Sequence, residues 1–145
     1  MNRATPRMRI FAQRLIAYEE RNKTPSQAKA SLTFILLELR PQLANLMGTA
    51  GFAALLSRAL AMASLERPWL RSVHERPDGS LENWSELEAQ VAAAEFLDGK
   101  IVLLAHLLGL LVAFIGENLM LRLVRDVWPN LPPNDLELGE ESTYE

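Results

Sequence analysis

Two charged residues, each alone in a long apolar segment, are the candidates in this sequence for a buried polar interaction. Arg58 is the one charged residue within 41–65, and Glu117 is the one charged residue within 101–121. Both segments are apolar and long enough for helices, and a buried charge without a partner is heavily penalised. Opposite signs on two such helices therefore predict a buried Arg58–Glu117 ion pair that holds them together. The alternative is that Arg58 reaches solvent along its methylene stem while Glu117 faces water at a kink near Gly116.

The remaining polar side chains do not form a catalytic arrangement. His106 lies among leucines, and we expect a core histidine bonded to a backbone carbonyl, with Asn118 beside Glu117 in the same polar core. His74 lies in a turn region, where a surface position is expected. Two histidines so placed do not make a metal site, and the chain has no cysteine to add a ligand or a thiol nucleophile. We therefore predict no enzymatic activity and no catalytic, cofactor-binding or metal-binding residue.

The composition fits one globular domain. A chain of 145 residues can bury most of its apolar surface in a single core, and 49% apolar with 23% charged residues is typical of folded proteins. The formal net charge of −3 and a pI near 5.5 argue against a dedicated nucleic-acid binder. The absence of cysteine excludes disulfides, and no signal-peptide pattern follows the basic N-terminus, so we expect a cytoplasmic protein.

Start and stop signals predict an all-α, compact bundle of about five helices. Thr5-Pro6 places a capping threonine before a proline at the first helical position. Pro41 is expected to end the second helix, because proline disfavours the helical conformation in its predecessor. Asp98-Gly99 is expected to close the fourth helix. The predicted helices span about residues 6–21, 25–40, 41–66, 85–97 and 100–127.

One stretch between the third and fourth helices is predicted to lack helix. The residues at 77–79, Pro-Asp-Gly, are a strong turn signal, and their flanks can pair as a short hairpin within about 70–83 that leans on the helices. Beyond a single helical domain of residues 1–130, the segment 131–145 is rich in acidic residues. That composition predicts a disordered acidic tail.

The fifth helix is predicted to lie buried at the centre of the bundle. Residues 101–115 carry no charge, and as a helix they span about 22 Å, short of the ~30 Å hydrocarbon core of a membrane. A helix that is apolar on all sides is also what the centre of a soluble bundle requires. A membrane hairpin formed by the third and fifth helices is the alternative.

Rows of small side chains predict that these two helices touch, since small residues let helix axes approach closely in water as well as in lipid. The sequence leaves open whether Gly48 and Gly51 break the third helix or permit such a crossing. The small residues follow one face of each helix: Ala50, Ala54, Ser57 and Ala61 on the third, and Ala105, Gly109, Ala113 and Gly116 on the fifth.

These features favour a non-enzymatic helical module that binds a protein partner whose identity the sequence does not reveal. We expect a monomer or a weak homodimer, without a cofactor and without affinity for nucleic acid. The basic first helix and the acidic tail offer surfaces for a partner. Two alternatives stay open: an integral membrane protein with two spans, and a bundle that binds an apolar small molecule along the fifth helix, with Arg58 or Glu117 orienting it.

Overall fold

The computed structural model describes residues 5–21, 31–76 and 81–131. The predicted all-α bundle with five helices is confirmed, and its buried apolar side chains form one continuous core. The elements are α1 (Pro6–Arg21), α2 (Ser31–Glu66), a 3-10 helix (Pro68–Ser72), β1 (His74–Glu75), β2 (Leu81–Glu82), α3 (Trp84–Gln90), α4 (Ala93–Ile115) and α5 (Glu117–Val127).

α4 lies at the centre of the bundle. Every side chain from Val102 to Leu108 is buried. α1 packs antiparallel to α4. Met8, near the start of α1, lies beside Gly109 in the C-terminal half of α4. Further along α1, Glu20 bonds Lys100 near the start of α4. The predicted buried central helix is therefore confirmed.

The predicted fifth helix is in fact two helices joined by Gly116. This glycine has φ 91° and ψ 156°, a backbone region that residues with side chains rarely adopt. Arg7 meets Glu117 at one end of α1. Glu19 meets Trp128 at the other end, so α5 runs parallel to α1 and antiparallel to α4. The prediction of one helix here is wrong, because a single residue reverses the chain.

α2 continues through Pro41, where an end was predicted, and breaks instead at Gly48 (φ 80°, ψ 160°). A proline inside a helix removes one backbone hydrogen bond and costs roughly 3 kcal/mol. Leu39 and Leu43, one turn apart, are 1% and 0% exposed, and burying both on one continuous face offsets that cost. Gly51 stays helical, so Gly48 alone of the two glycines breaks the helix.

The helical conformation is interrupted at Val91 and Ala92, between α3 and α4. The helix end predicted at Asp98-Gly99 is therefore wrong. Gly99 lies inside α4, where the ring of Trp69 packs directly on its backbone. A β-carbon added to Gly99 would overlap that ring. The glycine therefore permits a close approach and does not cap a helix.

The predicted hairpin is present, with β1 and β2 antiparallel and His74 opposite Glu82. The turn predicted at 77–79 and the acidic tail beyond Leu131 lie outside the described residues. Leu131, the first residue of the predicted tail, is 5% exposed and belongs to the core.

Replacing Gly99 with alanine should destabilise the protein by about 1–3 kcal/mol, because the new methyl group overpacks the contact with Trp69. Gly109→Ala in the same helix is the matched control. Its β-carbon would meet Met8 at 3.8 Å, an ordinary contact, so we expect up to ~1 kcal/mol of stabilisation from lower unfolded-state entropy. Urea unfolding measures both effects. Equal effects of the two substitutions would contradict the role assigned to Gly99.

Candidate functional site

A buried carboxylate joins three helices inside the bundle. Glu66, the last residue of α2, accepts a hydrogen bond from Arg9 of α1 through one oxygen (2.8 Å). Its other oxygen lies 2.6 Å from Nε2 of His106 in α4. The side chains of Glu66 and His106 are 4% and 2% exposed. The protein tolerates this buried charge because both carboxylate oxygens have partners.

The expectation that His106 bonds a backbone carbonyl is wrong, since its partner is the Glu66 carboxylate. The two residues are 40 positions apart, so no helical spacing connects them in the sequence. A histidine–carboxylate pair can act in acid–base catalysis where a substrate reaches the imidazole. Here the ring is enclosed, and neither residue lines the cavities described below. The geometry therefore suits a structural role.

Arg67, directly after α2, extends this network. Its guanidinium pairs with Asp98 near the start of α4 and also donates to the backbone carbonyl of Glu66 (2.8 Å). The hydrogen bond to Asp98 raises the pKa of Arg67 above its already high ordinary value, so the residue stays charged across the physiological range. The end of α2 is thereby fixed at two points along α4.

The predicted buried pair of Arg58 and Glu117 is wrong. Both residues are exposed, and Glu117 pairs with Arg7 (3.5 Å) at the surface. Asn118, expected in the same polar core, is exposed as well. The physical reason is the break at Gly116. It places Glu117 in the first turn of α5, where the helix dipole favours an acidic residue, and not inside a continuous apolar helix.

The two rows of small residues do not face each other either. α2 and α4 pack closely, but α2 buries the side that carries Phe52, Leu56 and Leu60. Ala54 and Ala61 point the other way and are exposed. The prediction that these helices touch is confirmed, and the prediction of which faces touch is wrong.

The exposed side of α2 is the candidate functional surface, and we name it the outer face. Its residues recur at intervals of four, four, three and four positions, which places them on one stripe of the helix. All are exposed, and Leu65, the one large apolar side chain among them, is 60% exposed. The outer face consists of Ala50, Ala54, Arg58, Ala61 and Leu65.

Two further polar contacts were not predicted from the sequence. Glu19 Oε2 lies 2.5 Å from Trp128 Nε1, and Lys100 Nζ lies 3.3 Å from Glu20 Oε2. Glu19 and Lys100 are 3% and 4% exposed, so both charges lie within the core. The sequence offered only a tryptophan after the last helix and a lysine beside an apolar run, and neither identifies its partner.

Two clefts of about 600 Å³ open on the surface. One lies at the start of α4, where Phe96 and Lys100 line it. The other lies at the turn between α4 and α5, where Glu117 and Arg122 line it. Arg58 borders neither cleft.

Within residues 5–21, 31–76 and 81–131, no group of three histidine, aspartate or glutamate side chains could hold a metal ion. Comparison with known protein families, curated proteins and solved structures finds no match to this chain. Its function is therefore inferred from its own surfaces and cavities.

Glu66→Leu should destabilise the protein by about 3–5 kcal/mol, because it removes the acceptor that Arg9 and the buried His106 share. The double variant Glu66→Leu/His106→Leu should recover about 1 kcal/mol or more, since the two groups are coupled. Glu117→Gln, at the exposed pair with Arg7, is the control and should cost less than about 1 kcal/mol. Strictly additive losses in urea unfolding would refute the coupling.

Proposed function

We propose that this chain is a non-enzymatic helical module that binds an apolar helix of another protein on the outer face of α2. The supporting observation is that this face is exposed along its whole length although Arg58 is its one charged residue. The solvent side of a helix in a soluble protein is normally polar. A face of alanine and leucine therefore suits a surface that a partner covers.

The spacing of the outer face suits a helical partner. Intervals of three and four positions keep these residues on one face of the helix, along which a second helix can lie. The alanines Ala50, Ala54 and Ala61 let a second helix axis approach closely. Residues 50–65 span roughly 23 Å of helix. A single stripe of that length is smaller than the ~800 Å² per partner of a stable complex, so the proposed association is reversible.

Charge favours a different protein over a second copy of this chain. The outer face holds Arg58 and no acidic residue, so a two-fold dimer would bring an arginine of each copy into the same seam. Like charges in a seam are destabilising, whereas a glutamate or aspartate of another protein opposite Arg58 forms an ion pair. We therefore propose a partner helix with that chemistry and a chain that is monomeric by itself.

A two-span membrane protein is the second candidate. The stretch Ile35–Glu66 of α2 and the whole of α4 are each long and apolar enough to cross a membrane. Against this, 56% of the most apolar part of α4 is buried within the protein itself. Gly48 also divides α2 into halves of roughly 26 Å, shorter than a ~30 Å hydrocarbon core. These features favour core helices, and we propose a cytoplasmic location.

A photo-crosslinking residue at Ala54 should give a covalent product with another polypeptide in cells that make this protein. The exposed Ala94, in the first turn of α4, is the matched control position and should give none. Adding Arg58→Glu to the Ala54 probe should remove the product, because the acidic residue of the partner is then repelled. Denaturing gel electrophoresis and mass spectrometry measure the products.

Products of equal yield at Ala54 and Ala94, or a product that Arg58→Glu leaves unchanged, would contradict the outer face as the binding surface. A covalent dimer of this chain alone would contradict the proposed partner.

After lysis without detergent and high-speed centrifugation, the protein should stay in the supernatant, because its own bundle buries more than half of the most apolar part of α4. Immunoblotting of the two fractions measures this. Recovery in a pellet that detergent releases, and that alkaline carbonate and high salt do not, would instead support the membrane hairpin.

A further inference from the structure

The outer face of α2 carries an exposed arginine that no described residue neutralises. Arg58 forms no hydrogen bond or ion pair with any other residue that the structure describes. The chain around it is described without a gap from residue 31 to residue 76. By contrast, Arg7 and Arg9 of α1 already pair with carboxylates of the bundle. Arg58 is therefore open to an acidic ligand, and its neighbours on the outer face are apolar.

The sequence after residue 131 has the chemistry that suits this face. Residues 132–145 hold five acidic side chains, at positions 135, 137, 140, 141 and 145, and no basic one. Within them, the run 135–138 reads Asp-Leu-Glu-Leu. Its leucines match the alanines and Leu65 of the outer face, and its acids match Arg58. The chain therefore contains a candidate occupant for its own binding surface.

This acidic segment begins at the end of the bundle where the outer face ends. Trp128 bonds Glu19, which places the end of α5 beside the end of α1. That end of α1 lies beside the start of α4. Arg67, directly after α2, pairs with Asp98 in the same part of α4. The ends of α1, α2 and α5 and the start of α4 are thus brought together.

The length of the segment allows it to reach the outer face. An extended chain spans at most about 3.3–3.6 Å per residue, so the part from 131 to 138 covers up to roughly 24 Å. This is about twice the diameter of a helix, ~10–12 Å. Arg58 lies two turns before Leu65, or roughly 10 Å along α2. The run 135–138 can therefore lie against the half of the face between these two residues.

We propose that the acidic segment 132–145 binds the outer face of the same chain and competes there with the partner helix. This inference rests on the proposed function, because it assigns a regulator to the same surface. A tethered segment meets its site at an effective concentration in the millimolar range, so a weak contact is enough to populate the closed state. The apparent affinity for the partner then falls in proportion to the fraction of chains whose face is open.

A photo-crosslinking residue at Ala61 tests this contact in the purified full chain, irradiated at micromolar concentration without a partner. The product should be a monomer with a covalent link from position 61 to a residue within 132–145, which peptide mass spectrometry locates. Ala94, exposed near the start of α4, is the matched control position. It lies at the end of the bundle where the segment begins, and it should give a several-fold lower yield. A segment without preference for the outer face would react there at least as readily.

Arg58→Glu should lower the yield of the link at position 61 about threefold or more, because an ion pair becomes a repulsion. Arg122→Glu, at an exposed arginine outside the outer face, changes the net charge equally and should leave the yield unchanged. Circular dichroism establishes that each variant folds.

The double substitution Asp135→Asn/Glu137→Gln leaves the helices of the bundle unchanged and should lower the yield of the link in the same way. With the probe at Ala54 in cells, the same double substitution should raise the yield of the product with another polypeptide, because the partner then meets an open face.

Equal yields at positions 61 and 94, or a link that the substitutions at Arg58 and in the segment leave unchanged, would overturn the proposal. A covalent dimer in place of the linked monomer would show that the segment reaches another copy, and would overturn it as well. If the link within the chain is absent while another polypeptide is captured at Ala54, the regulation fails and the proposed function stands. If the link is present and no other polypeptide is captured, the segment occupies the face by itself and the helix-binding function fails.

Discussion

The fold depends on a carboxylate that is almost out of reach of water. The side chain of Glu66 is 4% exposed, and burying a charge costs several kcal/mol unless the charge is paired and hydrogen-bonded. Arg9 and His106 supply those bonds from two other helices. A shift of α1, α2 or α4 along its axis would leave the charge unpaired. This contact therefore fixes the register of three helices, and the remaining elements pack around them.

The existence of the helices could be predicted from the sequence, whereas several of their ends could not. Apolar periodicity is a property of many residues at once, so single exceptions do not hide it. A helix end depends on one or two residues, and a proline or glycine can lie either at a helix end or inside a helix. Pro41 and Gly99 resemble ends but lie inside helices, because buried leucines and an aromatic ring decide the local structure there. Gly48 and Gly116 end helices through a backbone conformation that the sequence does not reveal.

The polar contacts were harder to predict, and the reason is physical. The prediction that Arg58 and Glu117 form a buried pair requires protein to cover every side of both helices. Alanine occurs at buried and exposed positions alike, so rows of alanine do not establish that burial. The sequence alone therefore does not distinguish an inward row of small residues from the outer face. The pair that is buried, Glu66 with His106, joins positions that are 40 residues apart, and no local pattern connects them.

Trp128 bonds Glu19 across 109 positions of the chain, which ties the end of the last helix to the first. α1 also buries Phe11, Leu15 and Ile16 in a core to which α4 and α5 contribute. During synthesis, α1 leaves the ribosome long before the residues that cover it. α2 covers part of its apolar side first, and the part that packs against α4 and α5 is covered only after those helices have emerged. The contact between Glu19 and Trp128 can therefore form only after nearly all of the described chain has been synthesised.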